Sequence, residues 1–136
     1  MTRKLDDDHG GISAFTAVAI AAVVMLIGLA VDVSGQIRAV ARADNVAAEA
    51  ARAGGQALNT LKAIQGGNKE LDPDAAVAAA TDYLADAGAT GTVTVDPDLL
   101  HLTVTAEIVY QPAFLGAFGY PATTVSATAT ANVIVQ

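Results

Sequence analysis

A run of twenty uncharged residues near the start of the chain restricts its folding more than any other feature. The run covers residues 12–31, is interrupted only by the hydroxyl residues Ser13 and Thr16, and is followed directly by Asp32. A helix of this length is about 30 Å long, which matches the hydrocarbon thickness of a bilayer. We therefore expect a transmembrane helix over residues 12–32, preceded by a cytoplasmic leader over residues 1–11.

A soluble core helix and a cleaved signal both fit this run less well. A core helix of a soluble protein would carry a polar stripe, and the run has none. A cleaved signal would suit the basic residues Arg3 and Lys4, but the run is longer than the usual ~7–15 residues and lacks a following A-x-A site. The basic residues close to the run are equal in number on its two sides, so they do not determine the orientation of the helix in the membrane. The short N-terminal flank favours a cytoplasmic N-terminus and an extracytoplasmic head.

The pattern after the run predicts that the same helix continues over residues 33–65 as an amphipathic extension. Gly66 and Gly67 then end it. Small residues recur at every fourth position, where another helix can approach closely. This small-residue strip consists of Gly35, Ala39, Ala43, Ala47, Ala51 and Gly55. We expect it to pack against other helices in an oligomer, although an alanine-rich helix also produces such spacing by chance.

Asp32 is the single ionisable residue for which the sequence suggests a functional role. At the end of the apolar run its carboxylate can be hydrated at the membrane interface. It can instead pair with Arg38 or Arg42 of an adjacent subunit. The sequence leaves both alternatives open.

The pattern of residues 66–136 predicts a small α+β head with a short helix and a three-stranded antiparallel sheet. Asp72, Pro73 and Gly88 mark the ends of the helix, and Val77, Tyr83 and Leu84 are its expected buried side. After Gly88 the apolar period changes to two, which is typical of strands. The expected inward residues are Val93, Val95, Leu100, Leu102, Val104, Ala106, Ile108, Tyr110, Val125, Ala127, Ala129, Ala131, Val133 and Val135. The segment DPD at 96–98 predicts a hairpin turn between the first two strands.

An apolar connection, QPAFLGAFGYP, precedes the last strand. Its large apolar residues are a candidate partner-binding loop: Phe114, Leu115, Phe118 and Tyr120. Such a loop can dip towards a membrane, bind a neighbouring protein, or fold under the sheet as a plug. We favour the plug.

The sequence predicts neither an enzyme nor a cofactor. There is no Cys, and His9 and His101 are far apart. His9 follows an acidic run at 6–8 that we interpret as solvated charge rather than a metal site, and His101 is expected to be exposed on a strand. No motif for phosphate binding or nucleophilic catalysis is present. The net charge of −7 argues against nucleic acid as a partner.

Nearly the whole chain resembles TadE/TadG-like proteins of Tad (tight adherence, Flp-type) pilus assembly. The resemblance lies in GLAVDV, which contains Asp32, in ADNVAAEAARAGGQAL, and in the final strand, loop and Thr/Ala strand. It implies a pilin-like, single-pass envelope protein that is a minor subunit or an assembly factor, with pilin-like subunits or assembly proteins as partners and a homo-oligomer among the options. The alternative is a single-pass envelope ectodomain that binds a ligand or partner protein through the apolar connection QPAFLGAFGYP, which we call the aromatic loop.

The resemblance also raises the question of processing at a glycine. Gly10 and Gly11 are the candidate cleavage sites of a prepilin peptidase. Prepilins carry glutamate at the fifth mature position, whereas cleavage after Gly10 or Gly11 would put Phe15 or Thr16 there. The ion pair that this glutamate supplies in pilins is therefore not expected here.

Overall fold

The computed structural model describes residues 8–57 and 72–132. Its first element, α1, is a single helix over Asp8–Gly55, about 70 Å long. Thr16 and Ser34 donate their hydroxyls to the carbonyls of Ile12 and Ala30, both at 2.8 Å, which satisfies two polar side chains without outside partners. Gln56 lies in a turn after the helix, and residues 58–65 of the predicted extension lie outside the described residues.

The second helix, α2, covers Pro73–Asp86 and has the predicted ends. The Asp72 carboxylate accepts a hydrogen bond from the backbone N–H of Ala75 at 3.2 Å, and Gly88 leaves the helix with a left-handed φ of 67°. Its predicted buried side is partly wrong. Leu84 is buried, but Val77 and Tyr83 are 38% and 36% exposed. Ala76 and Ala80 face the core instead, because α2 packs closely against α1.

Three strands form an antiparallel sheet in the order β1-β2-β3, as predicted. The strands are β1 (Thr90–Val95), β2 (His101–Tyr110) and β3 (Thr123–Asn132). In the turn between β1 and β2, the backbone carbonyl of Asp96 accepts a hydrogen bond from the N–H of Leu99, which has a left-handed φ of 56°. The residues that alternation placed inward are buried or half-buried where described, although Leu100 belongs to the turn rather than to β2. Val133 and Val135 lie outside the described residues.

The sheet and α2 cover the second half of α1, and small side chains form the contact. Ala43 and Ala47 are fully buried. A Cβ atom on Gly54 would collide with the Leu102 side chain and lie 2.7 Å from the Ala76 carbonyl oxygen. Only small residues on α1 allow the sheet and α2 to approach this closely. The core is correspondingly rich in alanine, with Leu102 and Val104 as its largest fully buried side chains.

The small-residue strip therefore has a different partner from the expected one. Among its six members, Ala43, Ala47 and Ala51 are buried, and the other three are half-buried. They lie under this chain's own head rather than at a free surface, and Gly55 lies beside Ala131 of β3. The sequence pattern indicates a close approach of backbones, but it does not indicate whose backbone approaches.

Candidate functional site

Asp32 holds the aromatic loop against α1. Its Oδ1 atom accepts hydrogen bonds from the backbone N–H groups of Ala113 at 2.8 Å and Phe114 at 2.9 Å, and Oδ2 accepts one from Leu115 at 2.7 Å. These three donors begin a short helix, α3 (Phe114–Ala117), which has no side-chain cap of its own. Asp32 thus caps a helix that lies 81 to 83 residues further along the chain.

Two glycines on the same face of α1 make room for the loop. A Cβ atom on Gly28 would collide with the ring of Phe114, and one on Gly35 would collide with the hydroxyl of Tyr110. That hydroxyl donates a hydrogen bond to the backbone carbonyl of Asp32 at 2.9 Å. We call Gly28, Asp32 and Gly35 the Asp32 socket. Its only sequence signal is a glycine within the apolar run, four residues before the carboxylate, and the sequence pattern does not assign that glycine to a site.

The aromatic loop, residues 111–122, lies beside α1 and not under the sheet, so the plug prediction is wrong. Phe114 and Leu115 are half-buried, whereas Phe118 is 64% and Tyr120 58% exposed. The rings of Phe114 and Phe118 pack edge to face with centroids 5.2 Å apart. Together with α1 they line an apolar groove of about 240 Å³, formed by Met25, Leu29, Phe114, Leu115, Phe118 and Tyr120.

The surroundings of Asp32 differ from the hydrated alternative expected from the sequence. The residue is 5% exposed, so its carboxylate is not hydrated at a surface. Neither arginine contacts it within the chain: Arg42 donates to the Ala87 carbonyl at 2.9 Å, and Arg38 is exposed. Three backbone N–H groups donate hydrogen bonds to the carboxylate instead. An ion pair with an arginine of another subunit stays a prediction, with little carboxylate surface left for it.

Gly10 and Gly11 lie within α1. Gly11 is exposed, and a Cβ atom placed on it would have no neighbour within 4 Å. Processing after either residue stays a prediction.

His101 has acidic neighbours that the sequence pattern does not predict. Three potential metal-binding atoms lie within 4.8 Å of one another: one carboxylate oxygen each from Asp96 and Asp98, and one ring nitrogen from His101. His101 Nδ1 is 2.7 Å from Asp98 Oδ2, and Asp98 Oδ1 accepts from the N–H of Leu100 at 2.9 Å. The Leu100 bond lowers the pKa of Asp98, burial opposes this, and the His101 contact lowers it further. These bonds build the hairpin turn. The acidic cluster near His9 lies outside the residues whose side chains are described.

A second exposed apolar surface lies on α1 beyond the apolar run. Val33, Ile37 and Val40 are 56%, 64% and 38% exposed. They share a face of the helix that is separate from the Asp32 socket, and Asp44 ends it towards the C-terminal end of α1. We call these three residues the Ile37 ridge.

Comparison with known proteins finds one family model that is similar to the N-terminal segment. Residues 10–57 match the model of the Tad family, described as "Putative Flp pilus-assembly TadE/G-like". No curated protein and no solved structure matches the chain. The matched segment contains nearly all of α1, the Asp32 socket and the Ile37 ridge, but not the aromatic loop. Over this segment the chain is similar to TadE/G-like proteins of Flp pilus assembly.

Proposed function

We propose that this chain is a membrane-anchored structural component of a Tad-type pilus system, either a minor pilin-like subunit or an assembly factor. The family match supports a role in pilus assembly. In this role the chain carries out no catalytic step, because it acts through the packing of its helix against other proteins.

One observation carries the anchoring part of the proposal. The first part of α1 extends beyond the head with its large apolar side chains uncovered: Ile12 is 67%, Phe15 75% and Leu26 67% exposed. Among the described residues α1 is the one helix long and apolar enough to cross a membrane. So much exposed apolar surface requires lipid or a bundle of similar helices around it. Residues 12–32 are the proposed span, with the leader in the cytoplasm and the head outside.

The proposed contact with other pilus components is the Ile37 ridge. The head already covers the small-residue strip, so a neighbouring helix must use another face of α1. The ridge continues the apolar surface of the span directly beyond Asp32 and presents three branched apolar side chains. A neighbouring amphipathic helix or pilin-like subunit can bury this surface in the same way as in a helix bundle.

Cysteine crosslinking tests the ridge. The chain has no native cysteine, so Ile37→Cys introduces a single thiol on the ridge and Arg38→Cys introduces one on another exposed face at nearly the same height. In cell envelopes treated with a thiol-to-amine crosslinker, we expect the Ile37→Cys thiol to be joined to amines of a second copy or of pilus proteins, identified by mass spectrometry. Arg38→Cys should form markedly fewer such crosslinks. Equal crosslinking of the two variants, or none with either, would count against the ridge.

The exposed rings of the aromatic loop favour a second candidate role. Phe118 and Tyr120 present apolar surface that an envelope ectodomain could use to bind a partner. This role does not require the Ile37 ridge. A chain that binds its partner through the loop should therefore keep its partner when Ile37 is replaced.

A further inference from the structure

The aromatic loop lies in a part of the chain that carries no charge. From Ile108 to Gln136 the sequence contains no Asp, Glu, Lys, Arg or His. The acid nearest the loop in sequence is the exposed Glu107 on β2, which pairs in register with Ser126 of β3. The carboxylate in contact with the loop, Asp32, is 5% exposed and bonded to three N–H groups. The aromatic loop itself thus presents no charge at its surface.

Many of the backbone N–H groups of the loop are paired within the chain. Asp32 accepts the N–H groups of residues 113–115, and loop carbonyls accept those of residues 118–120. Pro112 and Pro121 have no N–H to satisfy. In hydrocarbon an unpaired backbone group is very unfavourable, so irregular backbone occurs at membrane depth only when it is paired within the protein or lines a water-filled cavity. The N–H groups of residues 113–115 and 118–120 meet that condition, while Phe118 and Tyr120 expose their rings.

The position of the loop along α1 sets its depth. A hydrocarbon layer about 30 Å thick that begins at Ile12 ends near Asp32. The Phe114 ring contacts Gly28, which is about 6 Å below Asp32 along the helix axis. The groove that Phe118 and Tyr120 line reaches Met25, about 10 Å below Asp32. A bilayer that covers the whole apolar run must therefore also cover the rings of the loop.

We infer that the aromatic loop is a second membrane contact, inserted into the outer-leaflet interface beside α1. Phe118 and Tyr120 lie at the depth where aromatic side chains anchor membrane proteins, and the Asp32 cap removes the cost of taking the loop backbone out of water. The loop thereby fixes the tilt and rotation of the head relative to the membrane. This inference depends on the proposed anchoring of α1.

Tryptophan fluorescence in nanodiscs tests it, because the chain has no tryptophan. Phe118→Trp probes the loop. Ile27→Trp, at an α1 position that is 60% exposed and next to Gly28, reports the same depth on the span itself. Tyr83→Trp, on α2, reports the water-facing part of the head. The full chain carrying each variant is reconstituted with lipid brominated near the headgroup end of its acyl chains.

Insertion predicts that Phe118→Trp and Ile27→Trp lose a similar, large fraction of their emission, while Tyr83→Trp is unaffected. Quenching of Ile27→Trp without quenching of Phe118→Trp overturns the inference and leaves the anchor intact; the rings would then be left for a protein partner. Quenching of Tyr83→Trp as strongly as Phe118→Trp also overturns it, since the whole head would lie on the lipid. If Ile27→Trp is unquenched, the proposed anchoring itself fails. Tyr120→Trp repeats the test should Phe118→Trp disturb the loop.

Discussion

Replacing Ala47 by leucine should destabilise the docked head by about 1–3 kcal/mol, because overpacking a close contact costs that much. Ala47 is fully buried where α1 meets the rest of the core. A leucine side chain there must push the sheet or α2 away from the helix. Hydrogen exchange of the β2 amides in detergent micelles measures the loss directly, since these amides are protected only while the head is docked and folded.

Ala48→Leu is the matched control for this change. Ala48 follows Ala47 directly and is exposed, so the same substitution should change stability by no more than about 0.5 kcal/mol. Equal protection of β2 in Ala47→Leu and in the unmodified chain would mean that the small-residue strip is not under the head.

Replacing Asp32 by alanine should release the aromatic loop while the rest of the head stays folded. The change leaves three backbone N–H groups without an acceptor. We expect amide exchange at residues 113–115 to accelerate by roughly tenfold or more, because each unpaired buried group is costly. Exchange in the β1–β2 hairpin should not change. The measurement is residue-resolved hydrogen exchange in micelles or nanodiscs.

Asp32→Asn gives an intermediate test of the same cap. An asparagine oxygen can still accept the N–H groups of Ala113 and Phe114, but its NH₂ group would face the N–H of Leu115. Its effect on loop exchange should therefore lie between those of the unmodified chain and Asp32→Ala. Asp44→Asn, an exposed change on the same helix, is the control and should have no effect. Unchanged loop exchange in Asp32→Ala would contradict the cap.

The repeating patterns of the sequence predicted the elements well because each pattern has a simple physical cause. A sheet with one covered face requires apolar residues at every second position, and Leu102, Val104 and Val125 are buried accordingly. Asp72, Pro73 and Gly88 mark the ends of α2 through local backbone bonds and dihedral angles. Such signals lie within a few residues of the structure they determine.

The partners of each face were harder to predict. On α2 the large residues Val77 and Tyr83 suggested the buried side, but close packing on α1 selected Ala76 and Ala80. In an alanine-rich core, small size decides burial more than hydrophobicity does, because it controls how near two backbones can come. The spacing of the small-residue strip indicates a close-contact surface correctly, but it does not identify the partner.

The Asp32 socket was beyond reach of local patterns. Its donors lie 81 to 83 residues away in sequence, and nothing near Asp32 distinguishes a capping carboxylate from a hydrated one. When the loop packs against α1, the acidic residue at the end of the apolar run has a structural role. Its carboxylate accepts hydrogen bonds from the backbone of the loop at the end of the apolar run.

Thiol labelling of intact protoplasts tests most directly whether α1 crosses the membrane with the head outside. Thr2→Cys marks the leader and Thr92→Cys marks an exposed position on β1, each in a chain without other cysteines. A membrane-impermeant maleimide should label Thr92→Cys before lysis and Thr2→Cys only after lysis. Labelling of both before lysis, or protection of Thr92→Cys, would contradict a single span with an extracytoplasmic head.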